Sequence, residues 1–164
     1  MNQRVVAAAS LVLGPDLLVA DEPTTGLDAD SRRLVVEELR AVKQRSGASL
    51  LLITHDLDLA ESIGDRIAVM YAGQIVEEAE VDGFFAAPAH PYSQALLASR
   101  PQNGFHPIPG PPVDMTNPPP GCSFAPRCPL ADSRCVESEP PVKTGPGRKV
   151  RCLKYCPDDG ARNV

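Results

Sequence analysis

The sequence predicts an α/β protein: a parallel-sheet core with flanking helices, followed by an irregular tail rich in cysteine and proline. Three observations carry this expectation. Leu17-Leu18-Val19-Ala20 runs straight into Asp21-Glu22, with the turn-formers Pro23 and Gly26 close behind. That is the pattern of a buried strand delivering carboxylates to its carboxyl end, where open α/β sheets bind ligands. A second apolar run over 49–54 ends at His55, and the separation suits one helix between two parallel strands. Proline then divides the chain, since only Pro15 and Pro23 of the eighteen precede Pro88. A compact α/β domain is therefore expected over 1–86 and a loop-dominated tail over 87–164.

Taken in order, residues 2–13 read as a helix, with Val5, Ala8, Ala9 and Val12 on one face and Gly14-Pro15 as the stop. The strand over 17–20 follows. Asp28 or Asp30 can cap the next helix, whose apolar stripe is Val35, Leu39 and Val42 and which Gly47 ends. Asp56 can cap a short helix to residue 63 after the second strand. Two β-rich runs, 65–71 and 74–78, flank Ala72-Gly73 as a hairpin, expected to close the sheet. In the tail, His90-Pro91-Tyr92 opens a short helix with Pro at its first position, and the proline-rich stretch 101–120 reads as a semi-rigid spacer.

Composition narrows the function. A formal net charge of -5 argues against a non-specific nucleic-acid binder, and no Trp with 4% aromatic residues suits a lean α/β domain better than a base-stacking one. The apolar stretch over 5–13 is too short to span a membrane and lacks a cleavage site. Among candidate site residues, Asp21 can hold the water shell of a magnesium ion, and Glu22 can polarise an attacking water.

The stretch from Leu17 to Asp28 resembles the Walker B motif and D-loop of ATP-binding cassette (ABC) ATPases. Leu51-Leu52-Ile53-Thr54-His55-Asp56 resembles their H-loop, and Met1-Asn2-Gln3-Arg4-Val5 resembles the residues that follow their signature motif. The resemblance implies Glu22 as catalytic base, His55 as a hydrogen-bonding link to the γ-phosphate and Asp28 as a contact to the opposite cassette. Gln3 and Arg4 remain as the end of the signature near the nucleotide. No Gly-x-x-x-x-Gly-Lys-Ser/Thr loop occurs in the chain. It is accordingly expected to be the carboxyl-terminal half of a longer subunit, inactive as an ATPase by itself.

His90-Pro91-Tyr92-Ser93-Gln94-Ala95-Leu96-Leu97 resembles an element of the oligopeptide and dipeptide importers, including nickel relatives, within that family. Five cysteines follow, spaced C-x5-C-x6-C-x16-C-x3-C. This spacing fits neither paired C-x2-C zinc motifs nor common ferredoxin runs, and by itself leaves zinc, an iron–sulfur cluster and free thiols open. Gly121-Cys122-Ser123-Phe124-Ala125-Pro126-Arg127-Cys128-Pro129 resembles the C-terminal motif of the same importers. That likeness implies a structural [4Fe–4S] cluster, with Zn2+ the alternative, on Cys122, Cys128, Cys135 and Cys152; Cys156 is then an extra.

The family likeness implies ATP and Mg2+ as cofactors and ATP hydrolysis coupled to peptide uptake. It also implies a second ABC ATPase subunit, membrane permease subunits and, indirectly, a peptide-binding protein as partners. The expected location is peripheral, at the cytoplasmic face of the cell membrane. The competing expectation is a truncated, non-catalytic half-cassette acting as an iron–sulfur or zinc-binding interaction module.

Overall fold

A computed structural model describes residues 15–45 and 47–157; the helix expected over 2–13, with Gln3 and Arg4, lies outside them. The chain divides into two compact units between Gly64 and Asp65. In the first, strand β1 (Leu17–Asp21), helix α1 (Ala29–Arg45), strand β2 (Ser49–Ile53) and helix α2 (Leu57–Ile63) follow one another. The strands pair in parallel from Leu17 opposite Ser49 to Asp21 opposite Ile53, joined by a helix as parallel strands require. Asp28 caps α1, its carboxylate accepting the Ser31 N–H and hydroxyl, each at 2.9 Å. Gly47, at φ 67°, turns the chain out of α1 in the left-handed conformation that glycine adopts freely. Asp56 caps α2 by accepting the Asp58 and Leu59 N–H groups.

The parallel strands are less covered than their apolar pattern suggests. Leu17, Val19, Leu51 and Ile53 are exposed, while Leu18, Ala20, Leu50 and Leu52 are half-buried. Among the described residues this sheet has two strands and leaves one face open, whereas parallel sheets ordinarily bury both.

In the second unit, β3 (Arg66–Tyr71) and β4 (Gln74–Glu80) form the expected hairpin, with a bulge between Val69 and Met70. Helices α3 (Val81–Ala86), α4 (Pro91–Ala98) and α5 (Ser133–Glu137) and strands β5 (Val142–Gly145) and β6 (Arg148–Arg151) follow. The hairpin does not extend the parallel sheet. It belongs to an antiparallel sheet of its own, in the order β3-β4-β6-β5. Two of those strands come from the tail, because β6 pairs with β4 from Glu77 opposite Val150 to Ala79 opposite Arg148. The break expected at residue 86 followed proline content; the backbone pairing runs across it.

The core of this unit combines apolar and polar groups. Among the described residues, Phe84, Phe124, His90, Glu77, Val150 and Ser93 are its largest fully buried side chains. Glu77 accepts the N–H of Ala89 at 2.9 Å and of His90 at 2.8 Å, and lies 3.5 Å from Arg148 Nη1. Arg148 also donates to the carbonyls of Ala87 and Gly83. The turn before α4 is thereby fastened to β4 and β6. His90 caps α4, its Nδ1 accepting the Tyr92 N–H at 3.0 Å. Tyr92 packs on Tyr71 (4.5 Å between ring centroids) and on Phe124 (5.4 Å), so α4, β3 and the cysteine loop share one aromatic cluster.

Burial lowers the pKa of His90 from 6.5 to about 4, against a smaller upward pull from the backbone of Arg151. An unfolded chain protonates this ring near 6.5, whereas the folded chain resists until about 4. The stabilisation is therefore complete above 6.5 and declines as pH falls toward 4. Urea unfolding should show a loss of about 2 to 3 kcal/mol between about pH 7 and pH 4.5. His90→Asn, which keeps a capping acceptor, should lose that part of the pH dependence.

Candidate functional site

The first constellation is assembled where β1 and β2 end together. The Glu22 N–H donates to the Ile53 carbonyl at 2.8 Å, carrying the pairing one residue past the strands. Glu22 then takes φ 45°, in the left-handed region that residues with a Cβ seldom occupy. Its carboxylate accepts the His55 backbone N–H at 3.0 Å, His55 Nδ1 at 2.9 Å and the Thr25 hydroxyl at 3.1 Å. Those contacts hold the Glu22 carboxyl below its ordinary range. The His55 ring bond is the largest cause, and partial desolvation opposes it. The candidate residues Glu22 and His55, expected in separate roles, thus meet, although 33 positions separate them.

The ring's donor pattern refines the expectation for His55. A carboxylate only accepts, so Nδ1 carries the proton in this contact, and in a neutral ring Nε2 is then an acceptor. Donation from Nε2 to a phosphate oxygen therefore requires the imidazolium form. The His55 side chain is 80% exposed, which leaves Nε2 accessible to an incoming group.

Asp21 is exposed at the last paired position of β1. Asp28 is occupied as the α1 cap, and its carboxyl is lowered first by the Ser31 N–H and then by the Ser31 hydroxyl. Arg32, in the first turn of α1, forms an ion pair with Asp56, and Asp56 N–H donates to Thr54 Oγ1 at 3.0 Å. His55 is thus flanked on both sides by anchored residues. Sequence reasoning missed Arg32 and Thr25; Thr25 lies three residues from Glu22 and could have been read as a turn hydroxyl. The Arg32–Asp56 pair has no local signature.

The second constellation is the cysteine set. All five thiols are free of disulfides; Cys135 and Cys152 are buried, Cys122 and Cys128 half-buried, and Cys156 exposed. Cys122 N–H donates to the Cys135 carbonyl at 2.8 Å. This approach needs Gly121, because a Cβ there would lie 2.3 Å from the Cys135 carbonyl oxygen. The backbone N–H groups of Phe124 and Ala125 pull the Cys122 pKa down, and that of Leu130 pulls down the Cys128 pKa. The Lys154 N–H lies 3.4 Å from Cys152 Sγ. Three of the four thiols thus meet the N–H two residues onward, a donor pattern that favours thiolate sulfur.

Burial nevertheless raises the pKa of Cys122 and Cys128, and the neighbouring thiols raise both further. Cys122 and Cys128 therefore feel the thiols of Cys135 and Cys152 electrostatically. Even so, among the described residues no three His, Cys, Asp or Glu side chains converge closely enough to hold a metal ion. Arg127, beside Cys128, donates to the carbonyls of Ile108 and Pro109 and reaches the Tyr71 hydroxyl. The stretch read as a spacer is therefore folded back, and a cleft of about 440 Å³ opens among Tyr71, Asp114, Ser123, Arg127 and its prolines.

The Glu22–His55 contact has a direct spectroscopic consequence. In carbon-detected NMR the Glu22 carboxyl should titrate below its ordinary value of 4.5, and His55→Ala should raise its midpoint toward that value. An unchanged midpoint in the variant would show that the ring does not hold the carboxylate.

Residues 76–135 match the family model for the C-terminal region of the oligopeptide/dipeptide transporter. The chain is 45% identical over 161 residues to the oligopeptide transport ATP-binding protein AppD of Bacillus subtilis, covering 94% of this chain and 49% of that relative. It is 45% identical over 156 residues to the dipeptide transport ATP-binding protein DppD of the same organism, covering 92% and 45%. Against the dipeptide transport ATP-binding protein DppD of Escherichia coli it is 40% identical over 168 residues, covering 99% and 51%. The chain spans about half the length of these relatives. It is thus similar over nearly its whole length to ATP-binding proteins of oligopeptide and dipeptide transport.

Proposed function

We propose that this chain supplies the catalytic-base half of an ATP-binding subunit that powers peptide import. The observation that carries the reading is the Glu22 carboxylate, held by His55 at the shared end of two parallel strands. Its lowered pKa keeps it ionised at neutral pH, in the form that can accept a proton from an attacking water. His55 and Thr25 fix its direction, which matters because phosphoryl transfer to water depends mainly on positioning and charge neutralisation. Magnesium, when bound with ATP, neutralises phosphate charge. The exposed carboxylate of Asp21 fits a hold on its water shell, one residue from the base. Asp28 serves α1 as a cap while remaining at the surface for a contact with a second cassette.

The family likeness supports the remaining parts of the reading. The partners are a second ABC ATPase subunit, membrane permeases and a peptide-binding protein. The site of action is the cytoplasmic face of the membrane; among the described residues no helix is long and apolar enough to cross it. For the thiols, the reading is a structural [4Fe–4S] cluster on Cys122, Cys128, Cys135 and Cys152. What supports it is that Cys122 and Cys128 feel the charge of Cys135 and Cys152, and that backbone N–H donors favour thiolate at Cys122, Cys128 and Cys152. A bound cluster would cross-link the loop through four iron–sulfur bonds.

In a transporter assembled with the subunit that carries this chain, Glu22→Gln should retain magnesium-dependent ATP binding. Phosphate release should fall about a hundredfold to ten-thousandfold; turnover within about fivefold of the parent would remove Glu22 from the base role. For the cluster, anaerobic purification followed by iron and sulfide analysis should find both, and Cys152→Ser should lower both. Stoichiometric zinc without iron would exclude the [4Fe–4S] reading.

A further inference from the structure

Outside the groups already assigned, the polar contacts of the second unit converge on Asp132. Its carboxylate accepts Arg134 Nη2 at 2.8 Å, Arg134 Nε at 3.2 Å, Lys154 Nζ at 2.6 Å and the Cys135 N–H at 3.3 Å. These contacts connect cysteines from separate segments. Cys122 N–H donates to the Cys135 carbonyl, and Cys135 N–H donates to Asp132. Lys154 donates twice, from its ammonium to Asp132 and from its backbone N–H to Cys152 Sγ. An unbroken hydrogen-bonded path therefore runs Cys122–Cys135–Asp132–Lys154–Cys152.

The Lys154–Asp132 step spans 22 positions, so no local turn holds it. The loop after Cys152 has a second anchor in Lys143 of β5, whose ammonium donates to the carbonyls of Leu153 at 3.0 Å and Tyr155 at 2.6 Å. That anchor ties the loop to the sheet. Asp132, the N-cap of α5, ties it to the helix that carries Cys135.

We propose that Asp132 and Lys154 are a positioning pair that holds the Cys152 loop against α5 and keeps Cys152 in one set with Cys122, Cys128 and Cys135. The proposal rests on the reading of these four thiols as a single cluster-binding set. Asp132 also meets the Cys135 side chain on its own helix; toward Cys152 the pair acts through the Lys154 N–H. Arg134 shares the carboxylate but lies on α5 itself, so it does not bridge the two segments.

The test is pulsed alkylation of the metal-free full chain with iodoacetamide under anaerobic reducing conditions, read for each cysteine by mass spectrometry. Asp132→Asn keeps a capping acceptor but removes the charge, and Lys154→Met removes the ammonium while keeping the backbone N–H. Each should speed modification of Cys152 about threefold to fivefold and leave Cys128, off the path, within about twofold. Raising salt from about 0.05 M to about 0.5 M should move the parent chain toward the variants and leave the variants unmoved. Lys154→Arg should restore the parental rate. Parental Cys152 labelling in both charge-removing variants would overturn the pair. Iron and sulfide uptake after anaerobic reconstitution is read separately. A parent chain that takes up no iron, while the variants still free Cys152, would discard the cluster and uphold the pair.

Discussion

A buried carboxylate must replace the water it loses, and Glu77 does so with the N–H groups of Ala89 and His90 and the guanidinium of Arg148. The partners come from two different parts of the second unit. The two N–H groups precede α4, so accepting them sets where that helix begins. Arg148 lies on β6, and its further bonds to Gly83 and Ala87 bring α3 to the same point. Removing either member of such a pair leaves an uncompensated charge, typically costing about 3–5 kcal/mol. The turn, the sheet order and the aromatic cluster around Phe124 all depend on this contact.

From there the constraint passes to the cysteine loop. His90 caps α4 and Tyr92 packs on Phe124, which lies between Cys122 and Cys128 in sequence. Gly121 lets that loop approach the backbone of α5 more closely than any residue with a Cβ could. The thiols are gathered by backbone contacts of this kind, with their own side chains left free to accept N–H donors. Such an arrangement suits sulfur that must carry negative charge, since N–H donors stabilise that form.

The first unit solves a different problem, bringing an acid and a ring together from distant positions. Parallel pairing aligns the ends of β1 and β2, and the positive φ at Glu22 redirects the chain there. The contact stabilises the ionised form of Glu22, so His55 makes the carboxylate better placed and also intrinsically less basic. Arg32 and Asp56 steady the segment after the ring from the side of α1. Positioning, more than basicity, is therefore what this geometry contributes.

Much was legible before any coordinates. The apolar runs marked both parallel strands, Asp28 or Asp30 and then Asp56 were offered as helix caps, and Ala72-Gly73 marked the hairpin turn, because these signals arise between residues close in sequence. Glu22 and His55 were identified from motif likeness, which carries tertiary information that composition and periodicity lack. The hairpin's sheet was misplaced, since strand patterns specify faces but not partners; β6 pairs with β4 through residues about 70 positions apart. The burial of Glu77, the Arg32–Asp56 pair and the Asp132–Lys154 bridge had no sequence signal at all. Local conformation was determined by the sequence alone, through dihedral preference and capping. Only the tertiary structure decided which charged groups meet, because a distant charge finds its partner only after the elements between them have packed.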